Sequence, residues 1–503
     1  MVKVLILAQG TGKRWEDNKG NLFLGKPKQL VVIDGEALVH RAKRLFQEAG
    51  CDVVVIASHP EIQPDVTLDN PFPTGTEMDK FIGTQELWNK QGRTIIAWGD
   101  CFYTEEAVNT IVSHKSDDLH YFRRPTASKI TGHKWDESFA VSFGADWHDK
   151  VLEVANIVVD AVNTGQVKKD HIRTHYAAYL GVPLDNVNVL LDTPHQTVID
   201  DWTDDFDSPE EWTRWVGRYY RHKIKLVGVA AWKPGCLYRE LSMDFVHEHY
   251  ESQMPLYYGS HEGAMFNRSA ARNAAVDSIK EDWEVVCLFD TDVFVSHEQL
   301  WAAAYLATIT DEYILAFANY VKLPKEESIK VIRGGKPHTT KGYKDHASCA
   351  VMMSRNLWNE CGGYDERFVS WGGEDRAQWL ACNTLRGNLD CIRIPGNGYH
   401  LWHPTTKEKN TELPEYKSNF ELALRYKAFS GRTDRLGSLQ ATNASELNPE
   451  QMRAILEEDG GPKSDYVKVG IPTSSEPTNT PGIARKLEKI RHLRSIYKNK
   501  NKA

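Results

Sequence analysis

The sequence predicts an α/β protein with two domains, each built on a mixed, mostly parallel sheet. Short runs rich in β-branched residues, at 4–7, 53–56 and 94–98, alternate with longer helical stretches such as 36–49. This alternation is typical of βαβ units, in which helices cover the faces of a parallel sheet. A second series of such segments begins near Lys225, and a chain of 503 residues exceeds what one core normally organises.

The domain boundary is predicted near residue 222. A buried strand is expected at 226–231, a helix at 266–277 and the next strand at 285–289, while the acidic, aromatic stretch 200–221 closes the first domain. The expected ranges are 1–222 for the first domain, 223–430 for the second and 431–503 for a C-terminal extension.

The C-terminal extension has the composition of a linker followed by a basic helix. Residues 471–482 are rich in Pro, Ser and Thr, which indicates a flexible linker. Residues 484–503 carry eight Lys or Arg against one Glu, with apolar residues at helical spacing. A solvated helix and a helix that docks on an acidic partner or nucleic acid are both open interpretations.

Composition and charge describe an ordinary globular protein. Hydrophobic residues make up 41% and charged residues 26%, with a formal net charge of −8. This balance argues against binding nucleic acid or membrane over the whole surface. The eight cysteines show no zinc-ligand spacing, the apolar run 4–8 is too short for a signal peptide, and no run is long enough for a membrane span. We expect a cytoplasmic protein, in the host cytoplasm if a phage encodes it.

A glycine-rich turn follows the first predicted strand. Residues 7–14 read LAQGTGKR, and Ala8, Gly10 and Gly12 allow backbone N–H groups to close on phosphates. The Walker pattern and the dinucleotide pattern both fail here, because Leu7, Arg14 and Trp15 stand at positions that those patterns reserve for other residues.

The segment resembles the signature of MobA-like and sugar-phosphate nucleotidyltransferases, L-A-x-G-x-G-x-R followed by P-K, which Pro27 and Lys28 complete. Asp100 follows a predicted strand, as the family's metal Asp does, and Asp207 lies in a segment, DFDSPE, similar to the family's late acidic element. The resemblance implies that Arg14 and Lys28 offset charge on an NTP α-phosphate. It also implies that Asp100 and Asp207 bind Mg²⁺. Gln9 departs from the family pattern, so the choice of nucleotide is open.

The second domain carries an ordered set of polar motifs. Asp290 and Asp292 follow the strand 285–289, and the segments WGGED at 371–375 and HLWHP at 400–404 come later. Two carboxylates one residue apart at a strand end can hold a divalent metal against a diphosphate. A D-x-D alone is often a surface turn. The ordered set is much more specific.

This set resembles GT-A glycosyltransferases of the group that includes β-galactosyltransferases and polypeptide N-acetylgalactosaminyltransferases. FNR at 266–268, ARN at 271–273 and GGYDE at 362–366 also match in family order. Together, the two resemblances imply a nucleotidyltransferase fold followed by a GT-A fold, both Rossmann-like and nucleotide-binding.

The same resemblance assigns roles in the second domain. Asp292 would bind Mn²⁺ or Mg²⁺, and Asp290 the metal or the donor ribose. An imidazole ligand favours Mn²⁺; His400 is the preferred ligand and His403 is interpreted as structural, although the two assignments can be reversed.

Further roles concern the donor and the acceptor. Asn267 and Arg268 would contact the donor nucleotide, and Gly373 would bring the backbone close to the sugar while Glu374 and Asp375 point into the cleft. Asp375 would be the catalytic base of an inverting transfer. Trp371 would stack on the acceptor, and a core tryptophan is the alternative.

The chain is therefore interpreted as a bifunctional enzyme of the hexosyltransferase class. The first domain would make an activated sugar from NTP and sugar phosphate, and the second would move the sugar from the nucleotide sugar to an acceptor hydroxyl. The alternative is a glycosyltransferase whose N-terminal domain binds nucleotide without catalysis. The acceptor would be a glycan or a modified DNA base of a phage.

Overall fold

The computed structural model describes most of the first 431 residues, which form two compact units. The described residues are 1–9, 13–16, 22–68, 73–168, 170–184, 193–263, 265–344, 346, 348–388, 390–404 and 412–431. The backbone divides into unit 1, Met1–Tyr219, and unit 2, Tyr220–Ala503. The predicted linker 471–482, the predicted basic helix 484–503, Gly10 and Gly12 lie outside the described residues.

Unit 1 is built on a six-stranded sheet of order β4-β1-β5-β8-β7-β9. Three of its five strand pairings are parallel and two are antiparallel. Two small pairs, β2-β3 and β6-β10, complete the unit. The strands are β1 Lys3–Leu7, β2 Val32–Ile33, β3 Glu36–Ala37, β4 Asp52–Ile56, β5 Thr94–Trp98, β6 Cys101–Phe102, β7 His120–Arg124, β8 Glu137–Phe143, β9 Gln196–Val198 and β10 Asp204–Asp205.

The helices of unit 1 bury apolar residues against this sheet. In α1, Leu38, Ala42 and Leu45 recur at helical spacing and are buried. The helix predicted at 36–49 begins two residues later than expected, because residues 36 and 37 pair with β2 instead. The helices are α1 Leu38–Glu48, α2 Asp79–Ile82, α3 Glu105–Ser113, α4 His148–Asn163, α5 Ile172–Tyr179 and α6 Pro209–Tyr219.

Unit 2 contains a six-stranded sheet of order β12-β11-β13-β17-β15-β18 and a three-stranded sheet of order β14-β19-β16. The larger sheet again has three parallel and two antiparallel pairings. The strands are β11 Leu226–Ala231, β12 Leu256–Gly259, β13 Val285–Phe289, β14 Val293–Phe294, β15 Ile314–Leu315, β16 Asn319–Lys322, β17 Ala350–Ser354, β18 Ile392–Arg393 and β19 Asn397–His400.

The helices of unit 2 alternate with these strands. The helix predicted at 266–277 begins at Arg268, because the Asn267 side chain accepts a hydrogen bond from the Ala270 N–H and caps the helix. The helices are α7 Leu237–Tyr250, α8 Arg268–Asp277, α9 His297–Thr310, α10 Lys325–Ile332, α11 Arg355–Cys361, α12 Glu374–Arg386 and α13 Pro414–Ala428.

The fold class predicted from sequence is confirmed, since both main sheets are mixed, mostly parallel and flanked by helices. Within the described part of the chain, no helix combines the length and the apolar character that crossing a bilayer requires. All eight cysteines are free thiols.

Candidate active sites

In unit 2, the D-x-D segment forms a tight turn at the end of the central strand β13. All five residues of β13 are buried between β11 and β17. The Asp290 N–H donates to the Cys349 carbonyl at 3.1 Å, and the Val293 N–H donates back to the Asp290 carbonyl at 3.0 Å. The Asp292 carbonyl accepts from the Leu401 N–H at 2.8 Å. The backbone of both aspartates is therefore fixed by its neighbours.

Strand pairing brings both predicted histidines to Asp292. His400 is the last residue of β19, which pairs antiparallel with β14 directly after the D-x-D turn. His403 Nε2 lies 3.0 Å from Asp292 Oδ2, and His400 Nε2 lies 3.7 Å from the same oxygen. The three residues offer ligand atoms within 4.8 Å of one another. The structure thus groups His403, interpreted from sequence as structural, with the same carboxylate as His400.

Burial and charge shift the pKa values of two side chains in this group, His400 and Asp292. Burial lowers the pKa of His400 to about 4. Burial alone would raise the pKa of Asp292, but the two histidines hold it well below its usual range. His403 Nδ1 lies 2.9 Å from the Pro404 carbonyl, which orients the ring so that Nε2 faces Asp292. Neutral imidazoles and an ionised carboxylate are the forms in which these side chains bind metals.

A buried arginine joins the D-x-D turn to the predicted base. The Arg272 guanidinium on α8 lies 2.7 Å from Asp290 Oδ1 and, through its other nitrogen, 2.7 Å from Asp375 Oδ1. Its side chain is only 2% exposed and lies over the Tyr364 ring, 4.9 Å from the centroid. The Tyr364 hydroxyl donates to Asp375 Oδ1 at 3.4 Å. The carboxylates of Asp290 and Asp375 therefore share one cation.

Sequence reasoning did not assign a role to Arg272. The available signal is its position four residues after Arg268, because residues at i and i+4 lie on the same face of a helix. Arg268 Nη1 lies 3.3 Å from Glu374 Oε1, so both arginines of this α8 face contact the first turn of α12. Burial would raise the pKa of Asp375, but Arg272 and Arg268 lower it below the usual value.

Gly373 directly precedes α12 and has a left-handed backbone conformation. Its φ is +95°, and a Cβ at this position would lie 2.9 Å from the Phe368 ring and 3.2 Å from Ala423 Cβ. Glu374 follows and is 5% exposed. Its Oε2 accepts from the Gly372 N–H at 3.2 Å, and burial and the nearby Asp375 raise its pKa. The Glu374 carboxylate is thus buried and bound to the backbone of the turn that precedes it, at Gly372.

The remaining predicted residues of unit 2 differ in accessibility. Asn267 is 6% exposed; besides capping α8, its amide donates to the Glu366 carbonyl at 2.7 Å. A contact between Asn267 and a donor nucleotide stays a prediction. Trp371 is partly exposed and stacks on Tyr416 with ring centroids 5.7 Å apart and planes 10° apart. Both the acceptor role of Trp371 and the alternative of a core tryptophan stay predictions.

In unit 1, the predicted phosphate-binding and metal-binding residues meet at one ammonium group. Lys28 Nζ lies 2.6 Å from Asp100 Oδ2 and 2.9 Å from Asp207 Oδ1, and Arg14 forms an ion pair with Asp207. Burial lowers the pKa of Lys28, but Asp100 and Asp207 outweigh burial and raise it far above the usual value. Ala8 directly follows β1, and its N–H donates to the Ile56 carbonyl at 2.8 Å.

A second lysine, Lys80, joins this cluster and was missed from the sequence. It belongs to the short helix α2, forms an ion pair with Glu77, and its ammonium lies over the Trp98 ring at 4.5 Å. Burial lowers its pKa, and the charges of Glu77 and Asp100 raise it more. Because α2 has only four residues and matches no motif, the sequence around Lys80 gave no indication of its role.

The comparison with protein families bears on unit 2. Residues 332–402 match the family model described as the N-terminal domain of galactosyltransferase. This segment contains Asp375 and His400. A comparison of the sequence with curated proteins gave no match.

Solved structures of two enzyme types are similar to this chain. The catalytic domain of Drosophila β1,4-galactosyltransferase 7 with xylobiose is 12% identical over 39% of this chain and 79% of that chain, with a TM-score of 0.30. A mutant of it with manganese, UDP-Gal and xylobiose is 10% identical over the same shares, with a TM-score of 0.28. Inositol-1-phosphate CTP transferase from T. maritima is 13% identical over 42% of this chain and 90% of that chain, with a TM-score of 0.27.

The predicted resemblance to galactosyltransferases is confirmed over residues 332–402. The chain is an enzyme of the transferase type, with a galactosyltransferase-like part at residues 332–402.

Proposed function

We propose that unit 2 is a metal-dependent, inverting glycosyltransferase that moves a sugar from a nucleotide sugar to an acceptor hydroxyl. The observation that carries this proposal is the grouping of Asp292, His400 and His403 at the end of the strand that also supplies Asp290. Asp290 is in turn linked through one guanidinium to Asp375. The turn after β13 thus connects the residues proposed to bind the metal with Asp375, the proposed base on α12.

The donor set fits Mn²⁺. Two imidazole nitrogens and one carboxylate suit Mn²⁺ better than Mg²⁺, which prefers an all-oxygen shell. A metal bound by Asp292, His400 and His403 would offset the negative charge of the departing diphosphate. Asp290 is engaged by Arg272 at 2.7 Å, which favours a role for Asp290 beside the metal, toward the donor ribose.

We assign Asp375 as the base that removes the proton from the acceptor hydroxyl. Among the described residues, its hydrogen bonds are made through Oδ1, from Arg272 and Tyr364, which leaves Oδ2 to meet an attacking hydroxyl. The ion pair with Arg272 fixes the carboxylate in its charged form. A general base must be ionised and within hydrogen-bond reach of the proton that it removes. A single displacement with inversion follows from one base on the acceptor side.

The acceptor is proposed to be a glycan that packs on Trp371. This side chain is partly exposed, and the parallel ring of Tyr416 supports it from behind. An aromatic face of this kind binds the apolar face of a sugar ring. The comparisons give no support to DNA as the acceptor.

Unit 1 is proposed to be a nucleotidyltransferase that makes an activated sugar from NTP and a sugar phosphate. Lys28 and Arg14 would neutralise the charge that develops on the α-phosphate. Asp100 and Asp207, both within 2.9 Å of Lys28 Nζ, supply the oxygen ligands that Mg²⁺ prefers. Covalent linkage would raise the concentration of the activated sugar near unit 2.

Two single substitutions test the two activities. Asp292→Asn is expected to weaken Mn²⁺ binding by at least about 10–100-fold and to abolish release of nucleoside diphosphate from UDP-Gal with an acceptor sugar. Asp390→Asn is the matched control, because its side chain is 68% exposed and lies outside the proposed site. Wild-type Mn²⁺ affinity and transfer in Asp292→Asn would refute the metal assignment.

Pyrophosphate release reports on unit 1. Lys28→Met is expected to lower pyrophosphate release from NTP and sugar 1-phosphate by at least about 100-fold, because it removes a charge aimed at the reacting phosphate. Lys43→Met is the control, since Lys43 forms a surface ion pair with Asp65. NTP binding without pyrophosphate release in the wild-type protein, across a panel of sugar 1-phosphates, would instead favour a non-catalytic nucleotide-binding unit.

A further inference from the structure

Unit 1 contains a second polar cluster, which neither proposed activity uses. It consists of His133, in the loop between β7 and β8, Glu137, the first residue of β8, and Asp205, the last residue of β10. One ligand atom of each lies within 4.8 Å of the others. Sequence reasoning gave no role to His133 or Glu137, and Asp205 was noted only as the first residue of the DFDSPE segment. Two of them, His133 and Asp205, are buried, with 5% and 8% of their surface exposed.

The buried carboxylate in this cluster lacks a hydrogen-bond donor. Asp205 Oδ1 is shielded from solvent and has no hydrogen-bond partner among the described residues. A buried oxygen left without a partner is costly, and a second carboxylate, Glu137, within 4.8 Å adds repulsion between like charges. The Glu137 carboxylate accepts a hydrogen bond from the Ser138 N–H at 2.8 Å. A cation between the two carboxylates would remove both penalties.

The histidine is oriented in the way that metal-binding imidazoles are. His133 Nδ1 lies 3.0 Å from Asp204 Oδ1, and Asp204 is completely buried. Arg124 Nη2 lies 2.9 Å from both of these atoms, and we assign its hydrogen to the charged oxygen. His133 then donates Nδ1–H to Asp204, which leaves the lone pair on Nε2. That nitrogen also faces Glu211 Oε1, at 3.8 Å.

We propose that His133, Glu137 and Asp205 bind Mn²⁺ at a site separate from the two metal sites described above. One imidazole and two carboxylates are donors that Mn²⁺ accepts, and three protein ligands leave a position for water or substrate oxygen. The metal would cross-link β8, β10 and the loop before β8. These segments carry Asp205, two residues before Asp207, so the site supports the edge of the proposed nucleotidyl site.

Nitrogen coordination distinguishes this site from the others. The test uses the full-length chain with Asp292→Asn, His400→Gln and His403→Gln combined, which removes the imidazole site of unit 2. Mn²⁺ alone is added, without nucleotide, and ¹⁴N couplings to the bound ion are measured by pulsed electron paramagnetic resonance. Asp100 and Asp207 supply only oxygen ligands, so Mn²⁺ there gives no such coupling.

The expected result is a ¹⁴N-coupled Mn²⁺ ion in this background that disappears when His133→Gln is added. His40→Gln, at an exposed position of α1, is the matched control and is expected to keep the signal. Absence of a ¹⁴N-coupled ion in the background, or its persistence in His133→Gln, would overturn the proposal.

A second variant keeps the test valid if loss of the His133–Asp204 contact disturbs folding. Glu137→Gln leaves that contact in place and keeps an oxygen that can accept the Ser138 N–H. It is expected to weaken binding of the coupled Mn²⁺ by at least about tenfold. An unchanged Mn²⁺ affinity in Glu137→Gln, with circular dichroism like that of the background protein, would also overturn the proposal.

Discussion

Replacing Arg272 with Met tests whether the buried guanidinium holds the site of unit 2 together. Arg272 is 2% exposed and is the cation shared by Asp290 and Asp375, each at 2.7 Å. The substitution keeps much of the apolar volume and removes the charge. Both carboxylates then lie close to each other without a common counter-charge, on segments that come from β13 and α12.

The size of the effect follows from burial. Removing one partner of a buried ion pair costs about 3–5 kcal/mol, because the other charge stays uncompensated. The side chains of Asp290 and Asp375 are 29% and 22% exposed, so water screens part of the loss and the lower end, about 3 kcal/mol, applies. In a unit of this size, about 3 kcal/mol lowers the melting temperature by roughly 6–12 °C.

Calorimetry and hydrogen exchange measured by mass spectrometry resolve this effect. We expect the peptides of α8 and α12 to lose protection in Arg272→Met while peptides of unit 1 keep theirs. Arg355→Met is the matched control, since Arg355 is 41% exposed and its ion pair with Asp282, at 3.0 Å, lies at the surface. Such a pair contributes less than about 1 kcal/mol. Equal melting temperatures for the two variants would refute the reasoning.

Three further predictions follow from single side chains. Gly373→Ala is expected to destabilise unit 2 by about 1–3 kcal/mol more than Gly387→Ala, as measured by thermal unfolding. Both glycines have positive φ, but of these two only Gly373 would place the new Cβ within 3 Å of another atom. His175→Gln is expected to reduce the pH dependence of the free energy of unfolding in acid. Burial lowers the pKa of His175 to about 3, so the neutral imidazole costs no stability above pH 6.5. Between pH 6.5 and about pH 3, the wild-type free energy of unfolding falls by about 1.4 kcal/mol per pH unit because of this group. Asp375→Asn is expected to lower sugar transfer by about 10²–10⁴-fold without changing Mn²⁺ affinity.

Each of these predictions has a result that contradicts it. Equal stability of the two glycine variants would mean that the Phe368 ring moves aside without cost. Parallel stability curves for wild type and His175→Gln between pH 6.5 and pH 4 would show that the imidazole is not buried in its neutral form. A change in Mn²⁺ affinity in Asp375→Asn would place this carboxylate in the metal shell.

The sequence identifies the polar residues at strand ends more readily than it identifies their partners. Asp290 and Asp292 were recognisable because they follow a short apolar run with the length and composition typical of a buried strand, which the structure contains at 285–289. Arg272 lies in the matched ARN segment, but its partners were not predicted, because they depend on α8 meeting α12, whose Asp375 is 103 positions away. Contacts of that separation are set by packing, and no local pattern encodes them.

The two histidines show the same limit at shorter range. Both were candidates from their position in the sequence, and the choice between them could not be made from spacing. The register of β19 against β14 places His400 opposite Val293, and the following turn returns His403 to the same carboxylate. Strand register decides which side chains face a site, and a short strand such as β14 gives little sequence evidence for it.

Both units solve one electrostatic problem in the same way. Two neighbouring carboxylates repel each other, and each unit places a buried cation between such a pair: Lys28 between Asp100 and Asp207 in unit 1, and Arg272 between Asp290 and Asp375 in unit 2. The cation fixes the spacing of the carboxylates before any ligand binds, which reduces the ordering that binding requires. In the reaction proposed for unit 1, a metal that binds one of the two carboxylates would leave Lys28 with surplus positive charge, and the phosphate groups that accompany the metal would balance that charge. The need for a shared counter-charge accounts for the pairing of acidic residues with a buried Lys or Arg from segments far apart in the chain.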